Sequence, residues 1–281
     1  VTQVPHSGGT VSLMTPSPWH HPIADYLDYL RAGGAPRTTI DLRRQHLQFL
    51  ARHFGGSPWT IPATRMVQVF GALECAQETR RSRRTTLRAF YLWAVESGHT
   101  ATNTAASLPK VRATKPNPRP VPDVVYAVAL DAAKPRERLM LRLAAECGLR
   151  RTEVATAHCD HLIQDLDGWT IHVIGKGRRE RDVPLPPDLA RDLRALPYGY
   201  LFPGSDDGHL SPRWVGTLLS RLLPGIWTMH KLRHRALTRW YAVEKDIYTV
   251  RDLAGHGSIA ATEPYVQTPH EARRRTVEAA A

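Results

Sequence analysis

Between residues 230 and 235 the chain reads His230-Lys-Leu-Arg233-His234-Arg235. In a helix, positions i, i+3 and i+4 share a face, so His230, Arg233 and His234 present two imidazoles and a guanidinium together, a set suited to an anion. A zinc site of the HExxH kind needs a carboxylate where Lys231 stands, so no metal or cofactor is expected. Three other segments offer matching chemistry. Cys147-Gly-Leu-Arg150-Arg151-Thr152-Glu153 predicts a helix end and a tight turn into a capped helix, able to hold Arg150 inward beside a ligand. Lys176 stands between Gly175 and Gly177, whose small size lets a loop approach a groove, although the GxxxxGK[ST] pattern of a phosphate-binding loop is missing. Leu253-Ala-Gly-His256-Gly-Ser leads to Tyr265 nine residues after the histidine. Singly, these are equally a solvated basic face, a surface arginine, an ordinary basic turn and a core tyrosine. Jointly they supply guanidiniums for non-bridging oxygens, an acid for a leaving alkoxide and a nucleophile, which is what metal-free phosphodiester cleavage requires. No acidic quartet suited to two Mg²⁺ ions accompanies them.

The elements that must position these groups fall into two blocks. Apolar stripes predict four helices in the first: one through Ile23, Tyr26, Leu27 and Leu30, one carrying Leu42, Leu47, Leu50 and Phe54, one from Pro62 to Cys75, and one starting near Ser82 with Leu87, Phe90, Tyr91 and Ala94. A basic, proline-rich stretch with Pro116, Pro118, Pro120 and Pro122 forbids regular helix and predicts an exposed linker over 107–122. In the second block, helices are expected over 121–133, 137–147, 187–195, 211–222, 229–243, 246–254 and after Tyr265. Two short β-branched runs, 169–174 and 181–185, flank the Gly175–Gly177 loop and predict a hairpin. The expected organisation is a flexible segment at 1–19, a helical domain at 20–106, the linker, and a mixed α/β domain with a small β-sheet at 123–281, mainly α overall.

The 281 residues suit two domains, and 42% hydrophobic with 23% charged residues excludes a disordered polymer. Three widely spaced cysteines form no CxxC pair and point to a reducing, cytoplasmic setting. No secretory signal and no long uncharged apolar run is present, so no membrane partner is expected. The net charge of +12 is lopsided: residues 1–120 carry 15 basic and 6 acidic side chains, residues 121–281 carry 23 and 20. The first block is therefore expected to face a polyanion. Arg80, Arg81, Arg83, Arg84 and Arg88 crowd the fourth helix, where Arg84 and Arg88 would repel each other one turn apart unless phosphates neutralise them. With Lys110, Arg112, Lys115 and Arg119 of the linker, and Arg178 and Arg179 of the hairpin loop, they are the expected DNA contacts.

The ordered motifs resemble the tyrosine recombinase (phage integrase) family. Arg150 in CGLRRTE resembles its first arginine motif, Lys176 in IGKGRRERDVPL its hairpin lysine, and His230 and Arg233 in HKLRH its H-x-x-R box. His256 in LAGHGS and Tyr265 in TEPYV match its Gly-His box and nucleophile. The six residues occur in order at spacings of 26, 54, 3, 23 and 9. The resemblance implies a helical core-site-binding domain joined to an integrase-type catalytic domain, the two clamping duplex DNA at specific core sites. It implies strand exchange by a homotetramer through a Holliday junction, from a protein monomeric in solution, with an accessory DNA-bending or directionality protein as a further partner. Cys147 for the common Thr, Arg151 for an aliphatic residue, and Pro264 before Tyr265 are departures that remove no catalytic group. The short stretch before the first helix leaves no room for an arm-binding domain, so a simple form is expected.

The resemblance further implies that Tyr265 attacks the scissile phosphorus to form a 3′-phosphotyrosine and that Arg150 and Arg233 fork onto the non-bridging oxygens. His230 would assist proton removal or orient the phosphate, His256 would hydrogen-bond a non-bridging oxygen, and Lys176 would protonate the leaving 5′ oxygen. Integration and excision are the expected outcome. Xer-like dimer resolution, type IB topoisomerase activity and a catalytically silent DNA-binding protein are the alternatives. The tail from Thr268 to Ala281, with Arg273, Arg274 and Arg275, is expected to form a short helix that packs on a neighbouring protomer or frays.

Overall fold

A computed structural model describes residues 17–114, 119–175, 179–266 and 277–280. Lys115, Lys176 and Arg178, most of the flexible segment expected at 1–19 and most of the expected tail lie outside the described residues. The chain divides into two compact units, residues 1–115 and 116–281.

The first unit holds α1 (Ser17–Ala32), α2 (Arg37–Phe54), α3 (Ala63–Ala72) and α4 (Gln77–Glu96). The apolar stripes bury as expected except at Leu42, which is exposed, and Leu30, which is half-buried. Trp19, fully buried, stacks on Phe54 at 6.1 Å and on Phe90 at 5.9 Å, and Leu47, Leu50, Met66 and Leu87 complete the centre. The α2 helix stops where Gly55 adopts φ 64°, its N–H donated to the Ala51 carbonyl.

The expected start of the fourth helix near Ser82 is corrected to Gln77, because Glu78 in the first turn favours the helix dipole and pairs with Arg81 at 2.6 Å. This start redirects the arginine cluster. Arg80 donates to the carbonyls of Phe70 and Leu73, Arg84 to Leu108 at 2.8 Å, and Arg88 to Ala106 at 2.9 Å, while the Arg83 guanidinium lies 3.6 Å over the Phe49 ring. These carbonyls end α3 or lie in the segment after α4, where helix-type partners are missing. The repulsion expected between Arg84 and Arg88 is thus relieved by protein acceptors, and four of the five arginines brace the unit from within. The exposed linker expected over 107–122 is also too long at both ends. Leu108 is buried and Val111 packs in the first core, whereas Val121 is buried in the second and donates its N–H to the Lys231 carbonyl at 3.3 Å.

The second unit begins with α5 (Asp123–Ala132), α6 (Pro135–Ala145) and α7 (Arg151–Ala155), followed by β1 (Leu162–Gln164), β2 (Trp169–Ile174) and β3 (Glu180–Pro184). After α8 (Pro187–Arg194) come α9 (Pro212–Leu222), α10 (Met229–Glu244), α11 (Ile247–Ala254) and α12 (Glu263–Val266). The three strands form one antiparallel sheet in the order β1-β2-β3, with Ile171 opposite Val183. The hairpin is as expected, and β1, too short to carry an alternating pattern, is an addition. Helix α6 starts at Pro135, two residues before the expected Glu137, because proline is preorganised for a first turn and Glu137 caps the Lys134 N–H at 3.1 Å. Met140, Leu141, Leu143, Phe202 and Leu232 centre the core. Arg235 of α10 reaches Asp123 at 2.8 Å and covers the Tyr126 ring, which fixes α10 against α5 and sets the rotation of its opposite face.

Candidate active site

The turn that delivers Arg150 depends on a glycine. Gly148 follows α6 at φ 63°, and a Cβ there would lie 2.6 Å from the Trp240 ring of α10. Arg150 then precedes α7, donating its backbone N–H to Glu153 Oε2 and its Nη1 to Oε1, both at 2.7 Å. The Glu153 side chain is 1% exposed and also accepts two bonds from Arg181 of β3, at 3.0 and 2.7 Å. Burial alone would raise the Glu153 pKa; the hydrogen bonds and charges of Arg181 and Arg150 outweigh it and hold the carboxyl at about 2. Arg181 in turn donates to the Leu253 carbonyl at 2.9 Å, so one carboxylate links the Arg150 turn, the sheet and the end of α11.

Helix α10 presents the H-x-x-R face. Arg233, 3% exposed, donates to the carbonyls of Gly148 and Ala254 and, from Nη2, to His256 Nε2 at 3.3 Å. Burial first, and Arg150 next, lower its pKa to about 9, which leaves it cationic at neutral pH. An arginine cannot accept, so His256 Nε2 carries the lone pair and Nδ1–H donates to the buried Thr262 hydroxyl at 2.9 Å. Burial and then Arg233 lower the His256 pKa to about 4, so the ring is neutral. His230 and His234 meet through their Nε2 atoms at 2.9 Å, and one must therefore be neutral. Burial and the His230 charge push His234 down to about 4. Burial, then Arg233 and Arg150, also lower His230.

Tyr265 sits in α12, its N–H donated to the Thr262 carbonyl at 2.9 Å. Its ring meets His234 edge-on at 5.0 Å and lies 6.0 Å from His256. Burial raises the phenol pKa above its ordinary value, with Arg233 and Arg150 pulling the other way. An open cleft of about 900 Å³ brings Arg150, His230, Arg233, His256 and Tyr265 onto one surface. Of the six expected catalytic residues, these five converge, and Lys176 lies outside the described residues. Gly175 and Arg179, which bracket its loop, are joined at 2.7 Å (Gly175 N–H to the Arg179 carbonyl), and the Arg179 guanidinium lies over Gly257 beside His256. That places Arg179 at the rim of the site.

Sequence reasoning missed Glu153 and Arg181, which hold the site from beneath, and Arg213 and Arg221 of α9, which line the cleft with Arg151. The phage integrase family model matches residues 121–271, more than half of the chain. The chain belongs to the phage integrase family. Among its relatives, the tyrosine recombinase XerC of Rhodospirillum centenum is 31% identical over 258 residues, covering 80% of this chain and 74% of the relative. A lambda integrase dimer bound to a COC′ core site superposes with a TM-score of 0.72 at 18% identity, covering 88% of this chain and 77% of that one. A lambda integrase tetramer bound to a Holliday junction gives 0.69 at 18% identity, covering 85% and 77%. The likeness to both lambda integrase structures is one of fold, and it places the small sheet and the helices of this chain in the integrase architecture.

The Glu153 network is a buried electrostatic link within the second unit. Glu153→Gln should leave the Arg181 guanidinium, 6% exposed, without its countercharge and lower unfolding free energy by about 3 kcal/mol in urea denaturation at neutral pH. A change below about 1 kcal/mol would mean that water replaces the carboxylate.

Proposed function

We propose that this chain carries out site-specific DNA recombination by cleaving and rejoining strands through a 3′-phosphotyrosine on Tyr265. The observation that carries the reading is the convergence of Arg150, Arg233, His230, His256 and Tyr265 on one cationic cleft. A phosphodiester entering the cleft meets two guanidiniums already aimed by protein acceptors, so little reorganisation accompanies binding of the developing charge. The Tyr265 oxygen attacks phosphorus as the bond to the 5′ oxygen breaks. Because burial keeps the phenol protonated, attack needs a proton acceptor, and His230, held neutral, is suited to that task or to orienting the phosphate. His256 accepts from Arg233 in the free protein, so bonding a non-bridging oxygen requires a proton on Nε2 in place of Nδ1. Lys176 supplies the proton to the 5′ oxygen. Reversal by a 5′ hydroxyl of another strand conserves the phosphodiester without ATP.

The proposed organisation keeps the first unit as the core-site-binding domain and the second as the catalytic domain, acting as a tetramer on paired sites through a Holliday junction. Exposed Lys110, Arg112, Arg119 and Arg179, together with Arg151, Arg213 and Arg221 at the cleft, are the cations offered to the backbone. Among the described residues no helix is long and apolar enough to cross a membrane. Integration and excision between unlike sites is the first role, and the XerC relatives favour resolution of identical sites as the second.

Incubation with a library of duplex sites, denaturing capture of protein–DNA adducts and sequencing tests the reading. Adducts should concentrate on one inverted-repeat core with the protein joined to the 3′-phosphate end at the break and a free 5′ hydroxyl opposite; absence of adducts on every duplex would refute it. Recombination of identical captured sites, or only of unlike ones, separates the two roles. Binding should weaken steeply with salt, by roughly 10³-fold or more between 50 and 200 mM if about six phosphates are neutralised.

A further inference from the structure

On another side of the catalytic unit, the turn after α7 brings three chemically distinct donors together. We propose that His158, Cys159 and Asp160 bind a borderline-soft divalent transition-metal ion, Zn²⁺ being the best fit. Their potential ligand atoms all lie within 4.8 Å of one another. His158 Nδ1 is 3.7 Å from Cys159 Sγ and 3.3 Å from an Asp160 carboxylate oxygen, and Sγ is 3.8 Å from the other oxygen. A tetrahedral zinc ion, with bonds of about 2.0–2.3 Å, holds its ligand atoms roughly 3.3–3.7 Å apart. With either carboxylate oxygen the free turn therefore already has two edges of such a tetrahedron, and rotation of the Asp160 side chain closes the third, whose atoms lie within 4.8 Å. Thiolate with imidazole selects zinc over magnesium or calcium.

The surroundings are those of ligands held ready. The Gly199 N–H donates to Cys159 Sγ at 3.2 Å, a contact that strengthens when the sulfur is a thiolate. The Tyr198 hydroxyl donates to Asp160 Oδ2 at 3.1 Å and turns that carboxylate toward the sulfur. The Asp160 N–H donates to His158 Nδ1 at 3.2 Å, so this nitrogen is unprotonated, and an ion would take its lone pair in exchange for that backbone bond. The His158 ring is fixed edge-on by Tyr198 at 5.6 Å and by Tyr200 at 5.1 Å. Backbone bonds between Cys159 and Gly199, and between Leu201 and Ala157, tie the turn to that segment. His161 and His172 line an adjoining cavity of about 350 Å³ with His158, where the fourth position opens to water or to an incoming donor. Glu153, the carboxylate that holds Arg150, forms part of the wall of the same cavity. The sequence expectation of no metal was drawn from the spacing of the α10 histidines, and three adjacent ligands match none of the separated ligand patterns.

The test uses Co²⁺ as a spectroscopic substitute for zinc on the full chain with its cysteines reduced. Titration should produce a sulfur-to-cobalt charge-transfer band in the near ultraviolet with the intense visible transitions of four-coordination, and Zn²⁺ should displace it. Cys159→Ser should abolish the charge-transfer band, Cys75→Ser should keep it, and His158→Gln should weaken cobalt binding by roughly tenfold or more. In the unmodified chain, saturating Zn²⁺ should slow alkylation of Cys159 read by peptide mass spectrometry, a measurement that needs no folded variant. The proposal is overturned if no charge-transfer band forms, if the band survives Cys159→Ser, or if Zn²⁺ leaves Cys159 alkylation unchanged.

Discussion

Replacing Tyr265 with Phe is expected to give a protein that folds and binds duplex DNA as the parent does yet forms no covalent adduct at any site. The ring packs against the small cluster of Ala236, Leu237, Val250 and Ala254, and phenylalanine keeps all of that contact. Among the described residues the phenol oxygen has no hydrogen-bond partner within the protein, and the bond that fixes α12 is made by the Tyr265 backbone. Stability should therefore move by less than about 1 kcal/mol. The chemistry has no comparable reserve. In the proposed mechanism the attacking atom is the phenol oxygen, set among Arg150, Arg233 and His256, and the loss on a denaturing gel with end-labelled duplex should be complete. An adduct that persists in the Phe variant would assign the nucleophile elsewhere and withdraw the central feature of the proposed mechanism. Unchanged retardation on native gels shows that the variant still engages DNA.

What could be read from the chain alone divides along physical lines. The α10 face was legible because His230, Arg233 and His234 are fixed relative to one another by the helix itself, and the strands of the hairpin were legible because β-branched runs stand on both sides of a glycine pair. The convergence of five expected residues was carried by the ordered motifs, since no local rule brings Arg150 to His230, Arg233, His256 and Tyr265, all far beyond it in the chain. The start of α4 was misplaced because the arginine run hides an apolar stripe that begins only at Thr86. The same run was taken for a phosphate-facing surface, and its acceptors, carbonyls at Leu73, Ala106 and Leu108, cannot be seen without the fold. Glu153 did leave a trace, as the carboxylate three residues after Arg150 in a capping pattern, but Arg181 reads in sequence as an exposed strand residue. Its burial against Glu153 is a tertiary event across 28 positions.

The two arginines of the clamp should fail in different ways when each is replaced with Ala. In the proposed mechanism both changes remove a donor pair from the non-bridging oxygens, and each should slow single-turnover strand cleavage by roughly 10²–10³-fold, as loss of one donor does in other anion-stabilising sites. The consequences for the fold diverge. Arg150 is 31% exposed, and when it leaves, Glu153 retains both bonds to Arg181, so Arg150→Ala should unfold within about 1 kcal/mol of the parent. Arg233 is buried, and its removal strips the carbonyls of Gly148 and Ala254 of their donor at the two turns that flank the site. A buried acceptor left unmatched costs about 1–3 kcal/mol, so Arg233→Ala should be less stable by at least that much and should lose some duplex cleavage through turn displacement as well. Arg233→Lys, which restores the charge and three donors on one nitrogen without the planar fork, should keep duplex binding while cleavage stays depressed, because one ammonium cannot hold two carbonyls and two phosphate oxygens at once. Equal stability of the two alanine variants would show that the Gly148 and Ala254 turns stand without Arg233. Cleavage by the lysine variant at the parental rate would show that charge alone, rather than the planar fork, is what the phosphate uses.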